Sequence, residues 1–123
     1  MDANQVRDEV LRQLEAYRDK TLVPGSMPGA PLSAEAIAGH VDRLEACLLA
    51  PRQETFELRE SYEQAQAKEP VQARYWVIAS TPRYVEWFDP ESGEFGRGAP
   101  HRTKPVFVSI GARGDLVSVF CAM

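Results

Sequence analysis

"ARYWVIASTPRYVEWFDPESGEFG", residues 73–96, spells strand, turn, strand, turn, strand. Its first eight residues centre on the aromatic and β-branched Tyr75, Trp76, Val77 and Ile78 and lie between Pro70 and Pro82, which suits a pleated segment. "RYVEWF" resumes after the Thr81–Pro82 turn, "DPESG" closes a tight turn, and "EFG" returns as a short strand. Around this block, "ETFELRES" (residues 54–61) alternates, with Phe56 and Leu58 on one face and Thr55, Glu57 and Arg59 on the other. "EQAQAKEP" (63–70) is polar and reads as a loop or short helical turn. "PVFVSIG" (105–111) and "DLVSVFC" (115–121) supply two last strands, joined by a hairpin turn over Gly111 to Gly114.

The N-terminal part has a different period. Val6, Val10, Leu14 and Tyr17, with Leu11 beside them, form one apolar stripe on an otherwise charged helix. Asp2 and Gln5 have the spacing of a capping box. "LVPGSMPGAPL" (22–32) cannot continue this helix, because its prolines lack donors and its glycines favour turns. A second helix then starts at Ser33 as N-cap, with Leu32 and Ile37 as a hydrophobic staple. Ile37, Val41, Leu44 and Leu48 make its stripe, Cys47 flanks it, and Pro51 stops it. Helices segregated before strands define an α+β class. The expected architecture is one domain: a two-helix hairpin over 1–50, packed on an antiparallel meander of about five or six strands over 52–122.

Bulk composition narrows the function. The 123 residues carry a formal charge of -4, and no basic footprint marks a nucleic-acid binder. The N-terminus has no apolar core after a basic start, and no run approaches a membrane span, so a cytoplasmic protein without membrane contact is expected. Cys47 and Cys121 are then expected to be reduced.

Catalytic and metal chemistry find little support. His40 and His101 are the only histidines, without CxxC or HxxxH spacing, so no metal site and no cofactor are expected. On one helix, His40 and Cys47 would lie about 10.5 Å apart along the axis, too far for base and nucleophile. His101 and Cys121 are not separated by that argument, but Cys121 ends a strand and reads as packing. The "RGD" inside "GARGD" (111–115) reads as turn chemistry, and its glycines do not form a phosphate loop.

What remains is the aromatic and acidic stretch "YVEWFDPESGEFGRGAPHRTKP", residues 84–105. Large rigid rings anchor protein interfaces, and surrounding carboxylates steer a basic partner. Trp87, Phe88, Glu86, Asp89, Glu91 and Glu94 are the candidate contact residues, with Glu57 and Glu60 as second choices. Pro90, Gly93, Gly96, Gly98 and Pro100 suggest that this stretch is a long irregular protrusion. The rival is a pocket between helices and sheet lined by Tyr17, His40, Tyr75 and Trp76, serving a small molecule or an enzyme. A homodimer through an exposed edge strand is a third arrangement.

"YWVIAS", "YVEWFDPESGEFG" and "PVFVSIGARGDLVSVFCAM" together resemble the small acidic immunity proteins of bacterial polymorphic-toxin and type VI secretion systems. The resemblance spans roughly the last fifty residues and transfers no residue role. It implies a non-enzymatic α+β protein that neutralises one cognate toxin by occluding it.

Overall fold

A computed structural model describes residues 1–21, 34–111 and 113–123. Helix α1 (Ala3–Thr21) begins as the local chemistry predicts. The Gln5 amide donates to Asp2 Oδ1 at 2.9 Å and the Asp2 amide donates to Gln5 Oε1 at 2.8 Å. Its Val6, Val10 and Leu14 are buried, and Tyr17 packs against the same core. The connector 22–32, the Ser33 cap and the Leu32–Ile37 staple lie outside the described residues and side chains.

Helix α2 (Ala34–Cys47) runs directly into strand β1 (Leu48–Leu58). Pro51 therefore does not stop the helix, and Leu48 opens the strand instead of closing the helical stripe. The register passes from Leu48↔Ala79 to Arg52↔Val77, so residues 49–51 oppose Ile78 alone. A proline is tolerated in that bulge because its missing N–H breaks no ladder bond. A short helix α3 (Tyr62–Gln66) follows, capped by Ser61 with Gln64 in a reciprocal box.

Strands β2 (Gln72–Ser80), β3 (Val85–Asp89), β4 (Glu94–Pro100) and β5 (Phe107–Ser109) complete the sheet. Consecutive strands pair antiparallel from β1 to β5, as a meander does. The expected open sheet is corrected, however, because β5 also pairs parallel with β1, from Phe56↔Phe107 to Leu58↔Ser109. The five strands close into a small barrel.

The supposed protrusion is also corrected: residues 94–100 are barrel strand β4. Gly96 and Gly98 point inward, two residues apart and thus on one face. A Cβ at Gly96 would lie 2.0 Å from Trp87 Cζ2, and one at Gly98 would lie 2.8 Å from Phe56 Cε2. These glycines make room for aromatic rings inside the barrel; they do not loosen a loop.

The last expected strand is a helix. In α4 (Leu116–Cys121), Asp115 caps the N-terminus, with the Ser118 amide donating to its Oδ1 at 2.8 Å. Leu116, Val117, Val119 and Phe120 are all buried, an i, i+1, i+3, i+4 pattern that no single face of a strand can produce. With 116–121 helical, the expected hairpin has no second strand to join; Gly114 instead makes an isolated bridge to Phe95. α4 contacts α1, α2 and β4, while α1 also touches β1 and β2. The helices thus do not lie on the sheet as an isolated two-helix hairpin.

The pleat divides the interior in two. Phe56, Leu58, Tyr75, Val77, Val85 and Trp87 fill the barrel. Ile78, Ala79, Phe88 and Phe95 face outward and join Val6, Val10, Leu14, Val41, Leu44 and the apolar face of α4. Among the described residues, no helix is long and apolar enough to cross a membrane.

Candidate functional site at the barrel mouth

Strand β3 alternates, and that alternation dismantles the expected surface patch. Trp87 points into the barrel and is 0% exposed. Its ring stacks on Tyr75 with centroids 4.2 Å apart, and its indole N–H donates to Ser109 Oγ at 3.1 Å. Phe88 points the other way, onto Phe95 at 4.8 Å in the core beneath the helices. Glu86 shares that outer side and is fully buried, with neither carboxylate oxygen hydrogen-bonded. Burial, and then the Asp115 carboxylate, pushes it well above the usual carboxylate range, which favours its protonated form. Its cross-strand neighbour Arg97 gives it no salt bridge and donates to the Ala122 carbonyl at 2.5 Å. Trp87, Phe88 and Glu86 are therefore corrected from contact residues to interior ones.

The other three expected residues do gather at one end of the barrel. Asp89 is half-buried and shapes the β3–β4 turn, accepting from the Glu91 amide at 3.0 Å and from Ser92 Oγ at 3.0 Å. The Gly93 amide closes the turn on the Asp89 carbonyl at 2.8 Å. Glu91 is exposed and Glu94 half-buried. Beside this turn runs a groove of about 370 Å³ where Tyr75, Trp76 and Arg74 meet Asp89 and Glu91.

Of the second choices, Glu57 is no surface residue. It is 1% exposed and is held by Lys104 Nζ at 3.1 Å, His101 Nε2 at 3.5 Å and Arg59 at 3.9 Å. The Lys104 hydrogen bond above all holds it below the usual carboxylate range. His101 Nδ1 accepts the amides of Thr103 and Lys104, both at 3.1 Å, so that ring ties the 101–105 loop to β1. His101 is thereby committed away from Cys121, which lines a shallow cleft with His40, Arg43 and Cys47. Burial raises the Cys121 thiol above its usual range, the wrong direction for a nucleophile. The rival pocket does not assemble either: Tyr75 faces into the barrel, Trp76 packs on the helical side, and Tyr17 and His40 line separate clefts.

Glu60 leads to a residue that sequence reasoning missed. Arg113 Nε donates to Glu60 Oε1 at 2.8 Å, and Nη2 donates to Oε2 at 3.0 Å and to the Tyr75 hydroxyl at 2.8 Å. The guanidinium lies 4.9 Å from the Trp87 ring centroid and 5.6 Å from that of Tyr75. Asp89 Oδ2 stands 3.8 Å from Nη1. The Glu60 pair holds the guanidinium even more firmly protonated than usual, while burial raises the Tyr75 hydroxyl against the pull of Arg113. The mouth of the barrel is thus built from two carboxylates, one phenol and two stacked rings around a cation. No local motif announces it, because Arg113 is 53 residues from Glu60 and 38 from Tyr75.

Comparison with protein-family models, curated proteins and solved structures gave no match. Among the described residues, no three His, Cys, Asp or Glu side chains converge as metal ligands.

Proposed function

We propose that this chain is a non-enzymatic binding protein that neutralises a basic-surfaced partner by covering it, in the manner of an immunity protein against a cognate toxin. The observation that carries this reading is the groove at the barrel mouth. There the half-buried Trp76 borders the groove beside Arg74, and Asp89 and Glu91 supply negative charge on a turn locked by its own hydrogen bonds. A preorganised acidic turn loses little entropy on docking and accelerates encounter with a cationic surface. Relative to the sequence expectation, the proposed ring anchor is Trp76 in place of the interior Trp87 and Phe88, with Asp89, Glu91 and Glu94 retained as proposed contacts.

Expression of the neighbouring reading frame alone should arrest growth, and co-expression with this chain should relieve it and give a co-purifying complex. A harmless neighbour would count against the immunity role. Within such a complex, Glu91→Lys should slow association about tenfold at low salt and flatten its salt dependence. An unchanged association rate would place the contact elsewhere. A second reading has one observation in its favour, an apolar cleft of about 350 Å³ between α1 and the β1 bulge, lined by Val10, Leu11, Leu48, Leu49 and Ile78. A rise of several degrees in melting temperature with one apolar metabolite would support a small-molecule function there.

A further inference from the structure

Arg113 reaches its partners from a part of the chain remote from all of them, and each partner is of a kind that recognises a guanidinium. The carboxylate of Glu60 takes two donors of the fork, at 2.8 and 3.0 Å. Such bidentate pairing distinguishes arginine from lysine. The Tyr75 hydroxyl takes a further hydrogen bond at 2.8 Å, and the Trp87 and Tyr75 rings lie within the roughly 6 Å at which a cation is attracted to an aromatic system. The side chain remains 28% exposed, so the site opens to solvent. Its backbone is anchored independently: Gly114 exchanges hydrogen bonds with Phe95 at 2.8 and 2.9 Å, and Asp115 caps α4. Arg113 can therefore swing out by side-chain rotation alone, with β4 and α4 intact.

We infer that the barrel mouth is a guanidinium-binding site, filled in the free protein by Arg113 and taken over in a complex by an arginine of the partner. The inference rests on the basic-partner reading above for its natural ligand and deepens it by naming the recognised group. Exchange replaces one guanidinium by another, so the acceptors are never left bare. Asp89, 3.8 Å from Nη1, is the second carboxylate of the site. The occupying residue reduces apparent affinity to the fraction of time it leaves the site empty. That reserves the mouth for partners that bring further contacts, such as those of the acidic turn.

Small cations test the site without any partner. The probes are methylguanidinium and tetramethylammonium, and the readouts are the Trp87 indole N–H resonance and the melting temperature. In Arg113→Ala, methylguanidinium should bind saturably, about tenfold more tightly than in wild type, and restore part of the lost melting temperature. Tetramethylammonium has no donor for Glu60 or Tyr75 and should bind at least about fivefold more weakly. Adding Glu60→Gln to Arg113→Ala should lower methylguanidinium affinity about tenfold. In wild type, higher methylguanidinium should shift the Trp87 indole and Arg113 Nε–H resonances together, as displacement requires. A folded Arg113→Ala with only linear, unsaturable shifts would overturn the site. Equal affinity for the two cations would overturn its guanidinium selectivity. An Arg113 Nε–H signal that stays put at about twenty times the variant's half-saturating concentration would overturn exchange. If Arg113→Ala does not fold, Arg113→Lys keeps a cation without the fork; methylguanidinium should bind it more tightly than wild type, and identical titrations would refute the proposal. These outcomes are independent of whether a neighbouring gene product is toxic.

Discussion

Glu57 and Glu86 are both buried, and acid acts on them in opposite directions. Glu57 is held ionised by Lys104, so its stabilising contribution exists above the unfolded carboxylate range and is lost as pH falls through its lowered folded value. Glu86 is held neutral by burial, so the folded state keeps a proton that the unfolded chain releases above about pH 4.3. Stability must then fall as pH rises from there toward the raised folded value, by at most about 1.4 kcal/mol per pH unit from this group. Glu86→Gln should remove that slope. In urea unfolding, the variant should match wild type near pH 4.5 and be clearly more stable at pH 8; parallel curves at all pH values would refute the assignment. The sequence puts Glu86 in a strand and Asp89 and Glu91 in a turn, but nothing in it says which face of that strand is covered. The burial of Glu86 follows from strand alternation combined with helices packed on that face, and only the first of these was legible.

At the scale of elements, legibility tracks how local the deciding contacts are. The start of α1 is settled by Asp2 and Gln5, three residues apart, and it forms as expected. α4 is different. "DLVSVFC" was read as a strand, yet Leu116, Val117, Val119 and Phe120 are apolar at the i, i+1, i+3, i+4 spacing of a helix, and all find cover. In so short a run of apolar residues the period is weak evidence by itself, and the Asp115 cap supports the helix. Asp115→Ala should therefore cost about 1 kcal/mol of unfolding free energy, and Asp115→Asn much less. Equal losses from the two substitutions would mean that Asp115 acts by its charge at the helix N-terminus and not as a hydrogen-bonding cap. β4 was misread for a related reason: Gly96 and Gly98 look like loop residues until the rings of Trp87 and Phe56 are in place opposite them.

The whole molecule is a barrel whose closure depends on its shortest strand. β1 pairs with β2 over most of its length, from Leu48 to Glu57, but with β5 only from Phe56 to Leu58. Strand opening costs less where fewer pairs must be broken. Amides of residues 107–109 should accordingly exchange with solvent at least about tenfold faster than those of 75–78 under native conditions. Equal protection across both groups would show that the barrel opens only by global unfolding. The same closure brings residues from β2, β3, the end of β1 and the 111–115 segment to one mouth, where Tyr75, Trp87, Glu60 and Arg113 meet.

The amino-acid sequence by itself determined the α+β class, the amphipathic stripe and cap of α1, the strand–turn–strand core over 73–96 and the acidic tight turn after Asp89. Each of these depends on hydrogen bonds or periodicities a few residues long. Only the tertiary structure decided that the sheet closes, that 116–121 is helical, that Trp87 is interior and that a cation sits at the barrel mouth. Those features are set by contacts tens of residues apart, which no local pattern encodes.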